Sequence, residues 1–243
     1  MLHNIDINKM NTLMNENSDA KHIITQLLEN HHTSVSTISH EIRNPLTLIS
    51  SSLQVMEIQN PQLKEIPHWK QTMSDVNFMI ELLQELSSFN HVNVLHYTAF
   101  SMEKLLKNIS VSFAISLNSL NSNIEFTSSI PSNLSNFIGD KIKIEQALIN
   151  LLKNAQEAVT TVGRIHLNAQ REHNNFIITL HDTGCGIPKD KLDSVFEPFV
   201  TFKKNGTGLG LPISRQIAEA HGGTLTVTSS QTTGTTFTLK LPV

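Results

Sequence analysis

The sequence predicts a helical hairpin followed by an α/β domain with a mixed sheet. Up to about residue 86, apolar residues recur at intervals of three, four or multiples of seven, which is the spacing of helices that pack side by side. From about residue 101, helical patterns alternate with short strand-like runs, as is typical of an α/β domain. A length of 243 residues suits two modest domains.

Composition and charge exclude several classes of protein. The net charge is -3 and the 18 Lys and Arg residues are scattered, so overall electrostatics do not indicate a nucleic-acid partner. The single cysteine, Cys185, excludes an intrachain disulfide framework and fits a reducing cytoplasm. There is no apolar run of about 18 residues and no signal peptide at the start. We therefore expect a cytoplasmic chain without membrane insertion, apart from any sensor that precedes it.

The helical hairpin is expected over residues 21–92. Residues 1–20 are polar, and we expect a flexible lead-in or a loosely held helix there. The first long helix contains Pro45, which should bend it locally, and Gln59-Asn60-Pro61 ends it. The apolar positions are Ile24, Leu28, Val35, Ile38, Ile42, Ile49, Leu53 and Met56 in the first helix, and Ile66, Trp69, Met73, Val76, Ile80 and Leu83 in the second.

The α/β domain is expected over residues 101–243, after a linker at 93–100. Apolar residues at helical spacing predict its helices, and short apolar or Thr-rich runs predict its strands. Helices are expected at 101–119, 141–159 and 209–221, strands at 123–128, 164–170, 176–180, 224–229 and 235–241, and a loop-rich stretch at 182–207.

His40 is predicted to point away from the apolar side of its helix. Each helical residue turns about 100°, so His40 lies about 200° from both Ile38 and Ile42. This direction argues against a core histidine. Glu41 flanks His40 and Asn44 follows one turn later. An exposed imidazole beside a carboxylate is a plausible nucleophile, although an ordinary surface histidine remains an alternative.

One face of the helix at 141–159 offers oxygen atoms to a metal. Asn150 and Asn154 are four residues apart, with Lys153 beside them, and carboxamide oxygens suit a Mg²⁺ that keeps waters and phosphate oxygens. Asparagine pairs are also common on exposed helix faces. The histidines at 31, 32 and 40 lack the spacing of metal ligands.

Two glycine-containing loops complete the pattern. Asp182 precedes two glycines that permit positive φ and close ligand approach, and its carboxylate can accept a hydrogen bond from an amino group such as that of adenine. The run Gly206 to Gly210 leads into a helix and exposes backbone N–H groups to phosphates. It is neither a Walker loop nor a dinucleotide fingerprint. Either loop alone could be an ordinary turn, but their order after the asparagine pair is specific.

Together these residues resemble the catalytic core of two-component sensor histidine kinases, over about residues 30–243. Five segments carry the resemblance. They are the phosphoacceptor box Ser39 to Pro45, the asparagine box Asn150 to Ala155, the first glycine box Asp182 to Gly186, the phenylalanine box Phe196 to Phe199 and the second glycine box Gly206 to Gly210.

The resemblance implies a GHKL-type α/β sandwich that binds ATP under a lid from about Pro188 to Thr207. Asn154 would hold Mg²⁺, Asn150 would line the phosphate site, and Asp182 would bind adenine. Further residues that the resemblance implies at the nucleotide are Lys153, Gly184, Gly186, Ile187, Phe199, Lys203, Gly206, Thr207, Gly208, Leu209 and Gly210, with both lysines neutralising phosphate charge.

The implied activity is autophosphorylation of His40, with Glu41 orienting or deprotonating it, followed by transfer to an aspartate on the receiver domain of a response regulator. Glu41 and Asn44 also resemble the pair with which such kinases dephosphorylate their partner, Asn44 positioning a water. Because two helices rarely bury enough apolar surface alone, we expect a homodimeric four-helix bundle. The alternative is packing on the rest of the same chain. No sensor fits in residues 1–20, so we expect the stimulus to arrive through an upstream sensor or regulatory protein, a ligand on the kinase core, or a missing N-terminal portion.

Two other functions remain open. A degenerate kinase would act as a dimeric protein that binds a regulator. A related ATPase or serine kinase would share the nucleotide fold, but the His40 region argues against it. Gyrase-type ATPases activate water with a carboxylate, whereas this chain has the amide of Asn150, which cannot serve as a general base.

Overall fold

The computed structural model describes residues 7–92, 94–120, 122–132, 134–203 and 206–243. The chain divides into two compact units, Met1–His91 and Val92–Val243. Among the described residues, none of the helices combines the length and the apolar composition needed to cross a bilayer.

The first unit is helical. It contains α1 (Ile7–Glu16), α2 (Ser18–Gln59) and α3 (Trp69–Asn90), with a 3₁₀ turn at Pro61–Glu65 before α3. Asn17 separates α1 from α2, because its side-chain oxygen accepts the N–H groups of Asp19 (2.9 Å) and Ala20 (3.0 Å) and so caps α2. The segment expected as a lead-in is thus helical from Ile7, and residues 1–6 lie outside the described residues.

The helices α2 and α3 form an antiparallel hairpin, which confirms the helical hairpin expected from the sequence. Residues near the middle of α2 contact the end of α3, and those near the end of α2 contact the start of α3. The contacts run from Ser36–Ser87 (3.2 Å) through Arg43–Leu83 (2.9 Å) and Ser50–Asn77 (3.2 Å) to Glu57–Trp69 (2.8 Å).

The apolar positions that the sequence assigns to a single seam of α2 divide between two adjacent faces in the structure. Leu46 and Leu53 are half-buried on the side of α3. A second set, which we name the outer stripe, is 46–55% exposed. Because the two faces are adjacent around the helix, three- and four-residue intervals occur both within and between them. The outer stripe consists of Ile38, Ile42, Ile49 and Met56.

The second unit is an α/β sandwich. Its helices are α4 (Met102–Ser119), α5 (Lys141–Ala158) and α6 (Gly210–Ala220), and a 3₁₀ turn lies at Lys189–Lys191. The strands are β1 (Thr98–Ser101), β2 (Ile124–Ser129), β3 (Asn136–Gly139), β4 (Gly163–Glu172), β5 (Asn175–Asp182), β6 (Thr224–Ser230) and β7 (Gly234–Pro242).

The strands of the second unit form a five-stranded sheet in the order β2-β4-β5-β7-β6, with β1 and β3 as a separate antiparallel pair. β2 and β4 run parallel, and the connection between them passes through β3 and α5. The other neighbours run antiparallel, so the predicted mixed sheet is confirmed. β1 begins at Thr98, inside the segment assigned to a linker, and it escaped prediction because four residues are too short to show a period.

Alternation along the strands places one face of the sheet in the core. In β5, Phe176, Ile178, Leu180 and Asp182 are buried at every second position. The helices cover this face. Their buried residues include Ile144, Leu148, Leu151 and Leu152 of α5, Ile213 and Ile217 of α6, and Met102, Leu105, Leu106 and Ile109 of α4.

Candidate functional site

The start of α5 is fixed by Asp140, which is 4% exposed. Its carboxylate accepts the backbone N–H groups of Lys143 (3.1 Å) and His96 (2.9 Å), and its own N–H donates to Nε2 of His221 (2.9 Å). Because Nε2 accepts, the ring proton lies on Nδ1 and is donated to the carbonyl of Ile217 (2.7 Å). His221 therefore joins α5 to the end of α6 as a neutral imidazole, a role that its sequence position alone does not reveal.

The face of α5 that carries the asparagine pair meets the start of α6. The amide of Asn150 donates to the carbonyl of Gly210 (3.3 Å), so the structure brings these two predicted site residues together. Asn150 is half-buried and Lys153 is exposed. An open groove of about 360 Å³ runs along α5 beside Asn150. Its lining includes residues that were not predicted as part of the site and that lie within about two turns before Asn150. The lining residues are Ile142, Glu145, Gln146, Ile149 and Asn150.

Asp182 ends β5 on the core-facing side of the sheet and is 1% exposed. Burial raises the pKa of its carboxyl, although hydrogen bonds from the backbone N–H groups of Gly184 and Thr235 and the charge of His181 oppose the shift. The bond from Gly184 measures 2.8 Å to Oδ1. A deprotonated Asp182 has a second oxygen with which to accept a hydrogen bond from a ligand.

The two glycines after Asp182 serve the packing of their own loop. A Cβ on Gly184 would lie 2.6 Å from the carbonyl oxygen of Ala158, at the end of α5. Gly186 has φ 67°, and a Cβ there would collide with the carbonyl of Ser230. Both positions therefore require glycine because of the packing of the loop, whether or not a ligand binds there. The next predicted residue, Ile187, is half-buried and its N–H donates to the hydroxyl of Ser229 (2.8 Å).

The backbone of Phe199 packs directly against the second glycine loop. The N–H of Phe199 donates to the carbonyl of Gly208 (3.0 Å), and both residues have positive φ, 65° and 71°. A Cβ on Gly208 would lie 2.6 Å from the carbonyl carbon of Phe199, so only glycine fits this contact. Leu209 is fully buried, and its N–H donates to the hydroxyl of Thr207 (3.3 Å). α6 then begins at Gly210, which places an N-terminal helix turn beside Asn150.

The loop from 188 to 207, where the resemblance implies a lid, is described except for residues 204 and 205. Within it, the ammonium of Lys191 lies 4.3 Å from the ring centroid of Phe202, a cation–π contact. Gly206 is half-buried and its N–H bonds to the carbonyl of Lys203 (3.4 Å).

Lys203 reaches from this loop to α5. Its Nζ donates to Oδ1 of Asn154 (2.6 Å) and to Oε2 of Glu157 (2.5 Å). The resemblance implies that Lys203 and Asn154 share one site, but it does not single out Glu157. The available signal was its position three residues after Asn154, which puts both side chains on one face of the helix.

In the first unit, His40 is exposed on α2, as helix geometry predicts. The amide nitrogen of Asn44 lies 3.4 Å from Nδ1 of His40. Glu41 is also exposed, and within the described part of the chain it makes no hydrogen bond to His40. The neighbouring Ser39 is buried and donates to the carbonyl of Val35 (2.7 Å), so adjacent residues of this segment face opposite ways.

Residues 139–243 match the family model of histidine kinase-, DNA gyrase B- and HSP90-like ATPases. The chain is 30% identical over 207 residues to the signal transduction histidine-protein kinase AtoS of Escherichia coli (strain K12), covering 85% of this chain and 34% of AtoS. The chain spans between about a third and a half of the length of the curated relatives that head this comparison.

Two solved structures whose sequences are less than 25% identical to this chain have the same fold. Full-length ShkA in complex with AMPPNP is 23% identical, with a TM-score of 0.71, and the match covers 86% of this chain and 45% of ShkA. Histidine kinase ThkA in complex with response regulator protein TrrA is 24% identical, with a TM-score of 0.60, covering 95% of this chain and 66% of that one.

This chain also matches a structure of the isolated catalytic domain of ThkA. It is 30% identical, with a TM-score of 0.53, and the match covers 60% of this chain and 97% of that domain. With the catalytic domain of a histidine kinase covered almost completely, and AtoS aligned along most of this chain, the chain belongs to the sensor histidine kinase family.

Proposed function

We propose that the chain is an ATP-dependent protein-histidine kinase that phosphorylates His40. The observation that carries the proposal is the exposure of His40 on α2 in a chain that also contains the ATPase-family fold. An imidazole buried in the hairpin would not reach a nucleotide, whereas this one lies open to solvent. The nitrogen–phosphorus bond forms as the bond from the γ-phosphorus to ADP breaks, and the ring proton passes to a base.

We propose Glu41 as the residue that orients His40 or takes its proton. It is exposed beside His40, and catalytic hydrogen bonds often tighten only when the reactants are bound. Asn150 assists by aligning phosphate rather than by activating water, because an amide is not a base.

The nucleotide site fits ATP and Mg²⁺. Asn154 already accepts a hydrogen bond from a cation, the ammonium of Lys203, so its amide oxygen is placed where positive charge is favoured. That oxygen would hold Mg²⁺, which when bound would neutralise the charge on the phosphates. Asp182 would accept a hydrogen bond from the adenine amino group. Phosphates would meet Lys153, Lys203 and the glycine loop before α6.

We further propose that the chain is a homodimer and that it passes its phosphoryl group to an aspartate of a response regulator in the cytoplasm. The exposed outer stripe of α2 supports the dimer, since a second copy would bury it. The likeness to ThkA, which was solved with a response regulator, supports the partner. The stimulus would come from an upstream sensor or regulatory protein.

Autophosphorylation is tested by incubating the chain with Mg²⁺ and γ-labelled ATP. We expect label that is lost in acid and survives alkali, as phosphohistidine does. His40→Ala should abolish the label, while His31→Ala, at an exposed position on the same helix, should retain it. Label that persists in His40→Ala, or that survives acid, would refute the proposal.

Dephosphorylation of the regulator is a second candidate activity, favoured by the contact between Asn44 and His40 on one helix face. Asn44 would position the water that attacks the phosphorylated aspartate. We expect Asn44→Ala to label normally from ATP but to lose most of its ability to remove phosphate from a pre-labelled regulator. Equal phosphate removal by wild type and variant would contradict this role.

A further inference from the structure

Lys203 is held on α5 by two neighbouring side chains. Its ammonium lies 2.6 Å from the amide oxygen of Asn154 and 2.5 Å from the carboxylate of Glu157. The side chains of Lys203 and Glu157 are 40% and 41% exposed. An ion pair at this exposure is weak, so Lys203 can exchange it for a stronger anionic partner.

The dipole of its helix does not favour a carboxylate at Glu157, which lies four residues after Lys153 on the same helix face. It is the penultimate residue of α5 (Lys141–Ala158), where the negative end of the helix dipole disfavours a carboxylate. It is exposed, whereas the core contacts of this helix come from residues such as Leu151 and Ala155. Its contact with Lys203 is the interaction that links this carboxylate to the proposed nucleotide site.

We propose that Glu157 is a positioning residue that holds Lys203 on Asn154 until a nucleotide phosphate displaces it. The inference rests on the proposed function, in which Lys203 binds phosphate and Asn154 holds the metal. Those two roles cannot be filled while the ammonium occupies the oxygen of Asn154. Nucleotide binding must then break the contacts of Lys203 with α5, and Glu157 sets how strongly they resist.

The physical consequence is a competition between two anions for one lysine. The carboxylate of Glu157 offers a single negative charge at the surface, while a triphosphate with its metal offers a partner for Lys203 and a replacement cation for Asn154 at once. Removing the charge of Glu157 weakens the hold on Lys203 without removing any group that we assign to the nucleotide.

The test is isothermal titration calorimetry of the full chain with a non-hydrolysable ATP analogue and Mg²⁺, and separately with adenosine. Glu157→Gln keeps the size of the side chain and removes its charge. We expect the variant to bind the analogue about two- to five-fold more tightly, the range set by an exposed ion pair, and to bind adenosine as the wild type does. The double variant Glu157→Gln/Lys203→Ala should bind the analogue no more tightly than Lys203→Ala alone.

The matched control is Glu219→Gln, which breaks the similarly exposed pair of Glu219 with Arg215 on α6 (2.9 Å) and should leave both affinities unchanged. If the wild type binds the analogue and Glu157→Gln binds it equally or less tightly, this inference is overturned but the proposed function is not. A gain in Glu157→Gln that persists without Lys203 would also overturn it, because it would show direct repulsion of phosphate. Failure of the wild type to bind the analogue or adenosine would overturn the proposed function and this inference with it.

Discussion

At the residue scale, Asp140 fixes the start of α5, the helix that carries Asn150 and Asn154 of the proposed nucleotide site. Burial alone would raise the pKa of its carboxyl, but the backbone N–H groups of His96 and Lys143 and the positive charge of Lys143 lower it below its ordinary value. The ionised carboxylate thus stabilises the fold. Since its N–H also engages His221, one residue ties α5 to the chain before β1 and to the end of α6.

The lowered pKa of Asp140 predicts a pH dependence of stability. Because the folded pKa is below the unfolded one, the stabilisation is complete above about pH 4 and is lost as the pH falls through the folded pKa. Asp140→Asn should lower the free energy of unfolding at pH 7 and lose less of it between pH 7 and pH 2, as measured by urea denaturation followed by circular dichroism. Glu125→Gln, exposed on β2, should match the wild type at both pH values. An acid loss as large in Asp140→Asn as in the wild type would contradict the assignment.

At the element scale, α2 has two apolar faces and the chain covers one of them. The face with Leu46 packs on α3, while the outer stripe remains about half exposed. Four large apolar side chains in line along one helix are typical of a helix that packs on another. The outer stripe is therefore the place where a dimer can be tested without touching the side of α2 that carries His40.

We expect Ile49→Lys to disrupt the proposed dimer. Because Ile49 is already about half buried within one copy, each copy would lose about 0.7 to 1.5 kcal/mol of apolar burial and would also place a charge in the interface. The dimer dissociation constant should therefore rise at least about tenfold. Sedimentation velocity at a series of concentrations measures this. Leu48→Lys is the matched control, since Leu48 is 69% exposed and lies about 100° around the helix. Dimerisation that survives Ile49→Lys, or that both variants abolish equally, would contradict the assignment of the interface to the outer stripe.

At the scale of the whole molecule, local patterns predicted most of the architecture but few of the long-range contacts. The helical hairpin, α4 to α6 and the five strands of the large sheet follow from apolar periods. The outward direction of His40 follows from the 100° turn of the helix. The pairing of β1 with β3 did not follow, because four-residue strands carry no readable period.

The contacts that organise the nucleotide site were the least predictable. The bond between Asp140 and His221 spans 81 positions, and that between Lys203 and Asn154 spans 49. No local spacing links such residues, since they meet only when sheet and helices have packed. The run of Asp182 and the two glycines predicts a ligand-binding loop. It does not predict that the packing of the loop itself requires glycine at positions 184 and 186.

The way the chain enters the second unit has a mechanical consequence. Val92 is 2% exposed, His96 is bonded to Asp140, and β1 pairs with β3, the strand that leads directly into Asp140. Val92, His96 and β1 are therefore each held by the second unit. A force applied to this part of the chain is therefore transmitted through Asp140 to the first turn of α5. Asn150 and Asn154 lie on the same helix, so their positions would change with it.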